Sequence, residues 1–238
     1  MQDDKALPDW LTATAANLVA LPTRYWLVLA LIFSGKAMIL FLPTEQQQAD
    51  WLLNVEAAAA FLVRFWLPYL LIRVMAGHPQ PWRPTLAFLI FVFAALLFAL
   101  IAALPSMAAH RLFMEGITFG QPEIVMLLAG LLSAVLVARF LPLFAGTATA
   151  ILSPLERHWW RGINGSALSL IGASLLIALV GPTVRLAVPL PGPAFELSNI
   201  LLAHVYAAAD LFTLVAVLAL AVAAMTYAAR LQGAPAAR

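Results

Sequence analysis

Five ionisable residues, Lys36, Arg64, Arg139, Arg185 and Asp210, stand inside long apolar stretches of this chain. A charge in hydrocarbon costs about 2.5–3.5 kcal/mol to insert and persists with a partner, a wet cavity or a route to the headgroups. Depth separates the five. Arg139 lies within about two turns of one end of its stretch and Arg185 close to the opposite membrane face, so both are expected to snorkel. Arg64 is eight residues from Glu56 and nine from Arg73, about 12–13 Å from either flank and beyond such reach. Asp210 lies at comparable depth, and Lys36 approaches that level from the other direction. The pattern predicts that Lys36, Arg64 and Asp210 meet inside a bundle, with Tyr206 one turn before Asp210 and within hydrogen-bonding reach of it. Such a cluster would either fix helix register through an Arg64–Asp210 pair, with Lys36 snorkelling outward, or hold an anion such as a lipid phosphate or small acid.

The elements that must position these residues follow from hydropathy. Of 238 residues, 64% are hydrophobic and 10% charged, against about half and a quarter in soluble domains. Apolar blocks of about 20 residues match the thickness of a hydrocarbon core. They predict an all-α, polytopic transmembrane bundle of about six spans, near residues 24–42, 55–75, 85–104, 123–144, 166–188 and 200–229, in a single integral membrane domain over residues 1–238. The acidic start MQDDKALPDW is unlike a basic signal-peptide n-region, so the first span is expected to be retained. Before it, Leu11, Ala15, Leu18 and Val19 fall near one face of an N-terminal helix, which reads as interfacial, with Pro22 turning the chain inward.

Six spans put both termini on one side. Lys5, Arg24, Arg73, Arg83, Arg157, Arg161, Arg230 and Arg238 fall on that side, whereas Arg111 and Arg185 fall opposite, so the positive-inside rule predicts cytoplasmic termini. Trp82 and Arg83 read as interfacial anchors. The loop SPLERHWWRGIN reads as an amphipathic cytoplasmic helix: Arg157, Trp159, Trp160 and Arg161, with Arg139, form an anchor on anionic lipid or a docking surface for a membrane protein partner. LVRFWLP at Leu62–Pro68 and VARFLP at Val137–Pro142 echo each other in two spans expected to run the same way.

Several chemistries are excluded. With no Cys, disulfide and thiolate chemistry is absent. His78, His110, His158 and His204 are scattered, without a metal-ligand spacing, and no phosphate loop or nucleophile elbow is present, so no metal, cofactor or catalytic set is expected. Thirteen Lys+Arg against eleven Asp+Glu give no basic surplus suited to nucleic acid.

Arg139-Phe140, Pro142, the Trp159–Trp160 loop and Arg161-Gly162-x-Asn164, together with MTYAARLQG at Met225–Gly233, resemble a six-span bacterial membrane family. That family includes the membrane domain attached to some glycerophosphodiester phosphodiesterases. The chain departs from its usual pattern at Gly162-Ile163-Asn164, and no catalytic residue is carried over. The resemblance implies a bacterial inner-membrane location and support of lipid or envelope processes. The expected function is thus non-enzymatic, as scaffold, accessory subunit or envelope-homeostasis factor; the alternative is a small transporter or lipid-handling protein using Lys36, Arg64 and Asp210.

Overall fold

A chain this apolar must satisfy its backbone N–H and C=O groups internally, and helices do so within one segment. The computed structural model describes residues 9–39, 41, 58, 60–114, 122–149, 167–192 and 194–231, and no strand occurs among them. The helices are α1 (Trp10–Ala20), α2 (Thr23–Ile39), a π-helical turn (Leu62–Trp66) that runs into α3 (Leu67–Met75), α4 (Leu86–Met114), α5 (Pro122–Thr149), α6 (Ala167–Ala178), α7 (Val180–Ala187) and α8 (Leu197–Leu231).

Four stretches are long and apolar enough to cross a membrane: Leu86–Leu112, Leu128–Thr149, Leu168–Ala187 and Leu197–Arg230. They coincide with the last four expected spans. The first expected span is α2, which meets α1 at a bend of 92° and with it makes a fifth candidate. The expected span at residues 55–75 is described as continuous helix only from residue 60. The loop holding Arg157, Trp159, Trp160 and Arg161 lies outside the described residues.

Prolines shape three of these helices. Pro68 has no N–H for the carbonyl of Arg64, and just before it the ladder widens, Leu67 N–H bonding to the Leu62 carbonyl. Pro182 leaves the Ala178 carbonyl without its usual donor, and α6 ends at that residue; helical bonds from Leu179 to Leu175 and from Thr183 to Leu179 carry the rod on into α7. Pro142 does not end α5, which was expected to stop near residue 144. The helix continues to Thr149, where the hydroxyls of Thr147 and Thr149 bond to the carbonyls of Phe144 and Gly146.

At the centre stands α8, in contact with α1, α2, α3, α5, α6 and α7. At Val215 and Ala216, and again from Leu218 through Met225, its side chains are buried around the whole circumference. The abundant Ala lets surrounding helices approach closely. By contrast α4 turns Leu89, Phe93, Leu96 and Leu100 outward, as a lipid-facing helix does.

In α1 the face turned into the bundle is Trp10, Thr14 and Asn17; of the expected apolar face, Leu18 packs against the core while Leu11, Ala15 and Val19 point out. Trp10 Nε1–H donates to Ser169 Oγ at 2.8 Å, its ring meets Tyr227 edge-on, and Asn17 Nδ2 donates to the Ala219 carbonyl at 3.0 Å. Successive turns of α1 therefore meet earlier turns of α8.

Ala219→Leu, which forces a larger side chain between α1 and α8, should destabilise the protein by about 1–3 kcal/mol, whereas the outward Leu89→Ala should stay within about 0.5 kcal/mol. Thermal unfolding in one detergent compares the two.

Candidate functional site

Asp210 is paired, but with Arg185: Nη2 lies 3.4 Å from Oδ1, with side chains 62% and 42% exposed respectively. Tyr206 does not bond to Asp210, and its hydroxyl donates to the Val188 carbonyl at 2.7 Å. Lys36 and Arg64 are exposed on their helices, and among the described residues the structure brings neither to Asp210 nor into an ion pair. The physical reason is what packs alongside: α7 lies against this part of α8, the Asp210 carboxylate stands beside Gly181 in the first turn of α7, and Arg185, one turn further on, reaches back to it. Arg139 differs from its expectation. Because α5 continues to Thr149, this exposed residue stands about 15 Å from the helix end.

The buried cation is one the sequence placed among the flanking basic residues. Arg73, in the last turn of α3, is 2% exposed. Its position comes from two devices. First, α3 closes in a Schellman motif: Gly77 adopts φ +71°, its N–H bonds to the Val74 carbonyl, and His78 N–H bonds to the Arg73 carbonyl. That turn folds His78 and Gln80 back over Arg73. Second, Tyr69, one turn earlier and wholly buried, is locked among the rings of Trp66, Phe88 and Phe91. The aromatic series continues through Phe144 of α5 to Phe98 of α4.

Around the guanidinium every described acceptor is neutral. Nη1 donates to Tyr69 Oη at 2.9 Å and to the Ala148 carbonyl at 3.3 Å; Nη2 donates to the Gln80 carbonyl at 3.0 Å and lies 2.9 Å from His78 Nδ1. The guanidinium also packs 5.1 Å from the centre of the Tyr69 ring. Ala148 belongs to the last described turn of α5. Arg73 thus ties α3, α5 and the turn before α4 together. Its Nε–H remains buried without a partner.

The same Arg73 Nη2 lies 3.1 Å from His78 Nε2, and Gln80 N–H donates to Nδ1 at 3.3 Å, so the imidazole is ringed by donors. Burial, followed by the charge of Arg73, pushes the imidazole below its ordinary 6.5. Protonation is therefore harder in the fold than in the unfolded chain. The stability this group contributes is complete above about pH 6.5 and is lost as pH falls from there towards the depressed value.

Sequence reasoning missed Arg73 because an arginine at the edge of an apolar block reads as a snorkelling anchor. The available signal was Tyr69 and Arg73 one turn apart, followed by a Gly77-His78 helix stop. Among the described residues no three His, Asp or Glu side chains gather as a metal site would need. No protein-family model, curated protein or solved structure matches the chain.

Arg73→Lys keeps the charge but cannot serve four acceptors from one planar fork; unfolding in detergent should show a loss of about 2–4 kcal/mol. In a pH series the wild type should lose stability below about pH 6.5, and His78→Asn, which keeps an acceptor without titrating, should flatten that slope.

Proposed function

We propose that this chain is a bacterial inner-membrane protein of six spans, with both termini cytoplasmic, that acts without catalysis as a scaffold, accessory subunit or envelope-homeostasis factor. One observation carries the reading: around Val215–Met225 the central helix is buried on every side and is itself built of Ala, Val, Leu and Met. Besides Arg73, buried polar side chains are few in the described bundle: Thr147 and Ser174 turn their hydroxyls back to carbonyls of their own helices, the Thr14 hydroxyl has no partner, and the part-buried Asn17 bonds to the Ala219 carbonyl. A largely apolar interior suits a protein that holds a shape for others to bind, more than one that moves a solute or reacts with it.

The orientation rests on which groups share an end. Trp10 touches Ser169 and Tyr227, Arg73 bonds to the Ala148 carbonyl, and Thr149 reaches Met225, all at one end of the bundle. Tyr25 of α2 stacks on Trp82 there. Arg24, Arg83 and Arg230 belong to the same segments. Phe41 and Phe195 meet at the opposite end, where α2 finishes and α8 begins. The positive-inside rule makes the first end cytoplasmic. The sequence resemblance to the six-span bacterial membrane family supports the inner membrane and an envelope role.

The lipid-handling alternative needs Lys36, Arg64 and Asp210 around one anion, and the pairing of Asp210 with Arg185 leaves it with less support. Native mass spectrometry of the protein purified in mild detergent tests the choice. The expected spectrum shows a stoichiometric protein partner and no small acid. A bound small anion that disappears in Arg64→Leu would instead establish the pocket.

A further inference from the structure

Three arginines converge at one corner of the bundle. Arg24, at the start of α2, is exposed, with its guanidinium 5.2 Å from the centre of the Tyr25 ring. That ring is buried and stacks on Trp82 at 5.8 Å. Trp82 is 55% exposed, and the next residue, Arg83, is exposed as well. Beneath them lies Arg73, joined to this turn through the Gln80 carbonyl and through Tyr69, whose hydroxyl also reaches the Arg83 carbonyl at 3.5 Å. Among the described residues no carboxylate pairs with any of the three; the Arg185–Asp210 ion pair belongs to another part of the bundle. Asp9, also a cap at this end, is engaged by the backbone and hydroxyl of Thr12.

Charge alone would suit several anions, but the surroundings are more selective. Just past the arginines, α2 turns Leu27 and Val28 outward and α4 turns Leu86 and Leu89 outward. A cationic rim with an exposed indole, above apolar helix faces, complements a molecule with an anionic head and hydrocarbon tails. Guanidinium groups match a phosphodiester with paired N–H donors. The buried charge of Arg73, which its neutral acceptors leave uncompensated, adds to the positive potential at that rim.

We propose that Arg24 and Arg83, with Trp82 between them in the surface, seat the headgroup of an anionic phospholipid, while the exposed apolar side chains that follow them on α2 and on α4 take its acyl chains. The site is separate from the Lys36, Arg64 and Asp210 group. It rests on the bilayer location given above but not on the scaffold role.

The test titrates detergent-purified protein with phosphatidylglycerol or phosphatidylcholine and reads bound lipid by native mass spectrometry. Wild type should prefer phosphatidylglycerol, and the preference should fall about fivefold for each arginine removed in Arg24→Gln and Arg83→Gln. Arg24→Lys/Arg83→Lys should retain most of it, and Arg185→Gln should leave it intact. Equal binding of the two lipids, or a preference unchanged in Arg24→Gln/Arg83→Gln, overturns the proposal. Displacement of the lipid by millimolar inorganic phosphate also overturns it, by assigning the corner to a free anion. Should the double Gln variant not elute as a single species, the single variants and the Lys pair decide by the same criteria. A protein that keeps the lipid preference but carries no protein partner would sink the scaffold reading and leave this one standing.

Discussion

Burying a helix on every side restricts the helices around it more than any single bond does. Around Val215–Met225, α8 offers mostly Ala, Val and Leu, and its neighbours are held by close approach and shape. Lipid competes with such contacts on equal hydrophobic terms, so packing and a few hydrogen bonds must supply the difference. Asn17 to the Ala219 carbonyl and Trp10 to Ser169 are bonds of that kind. They fasten α1 to α8 and to α6 although the residues involved are among the more polar of the segment.

The same logic explains Arg73. A buried guanidinium paired with a carboxylate would require both ions to leave water. Here the cation finds oxygen and nitrogen partners instead: the Ala148 carbonyl of α5, a turn carbonyl, a phenol and an imidazole. Tyr69 stands between these groups and the aromatic series, so the position of the guanidinium follows from ring packing several residues away.

Span positions are legible because they depend on the length of apolar runs, a one-dimensional property. Four runs coincide with helices of crossing length. Depth and partners are not legible in that way. Asp210 reads as a partner for Arg64 because hydropathy gives depth without neighbours, and only the packing of α7 against α8 brings Arg185 to it. Arg73 and Arg185 look alike in sequence, each near the end of an apolar block, yet one is enclosed and the other is open. The difference lies in what the following turn does. After Arg73 the chain folds back through Gly77, whereas after Arg185 it leaves in extended form at Val188. In α1 the periodicity is visible in the sequence, but not which of its residues pack against α8.

The π-turn at Leu62–Trp66 also sets angular phase. One additional residue accommodated in a single turn rotates everything after it by about 100° relative to a regular helix. Phe61, Leu62 and Arg64 before the shift are exposed, while Leu67 through Arg73 after it are enclosed without a break. The helix thereby passes from exposed positions to enclosed ones. A chain one residue shorter at this point would keep its composition, its hydropathy and its helix, and would present Tyr69 and Arg73 to the wrong neighbours. In a fold built from smooth apolar rods, that phase is information no hydropathy count carries.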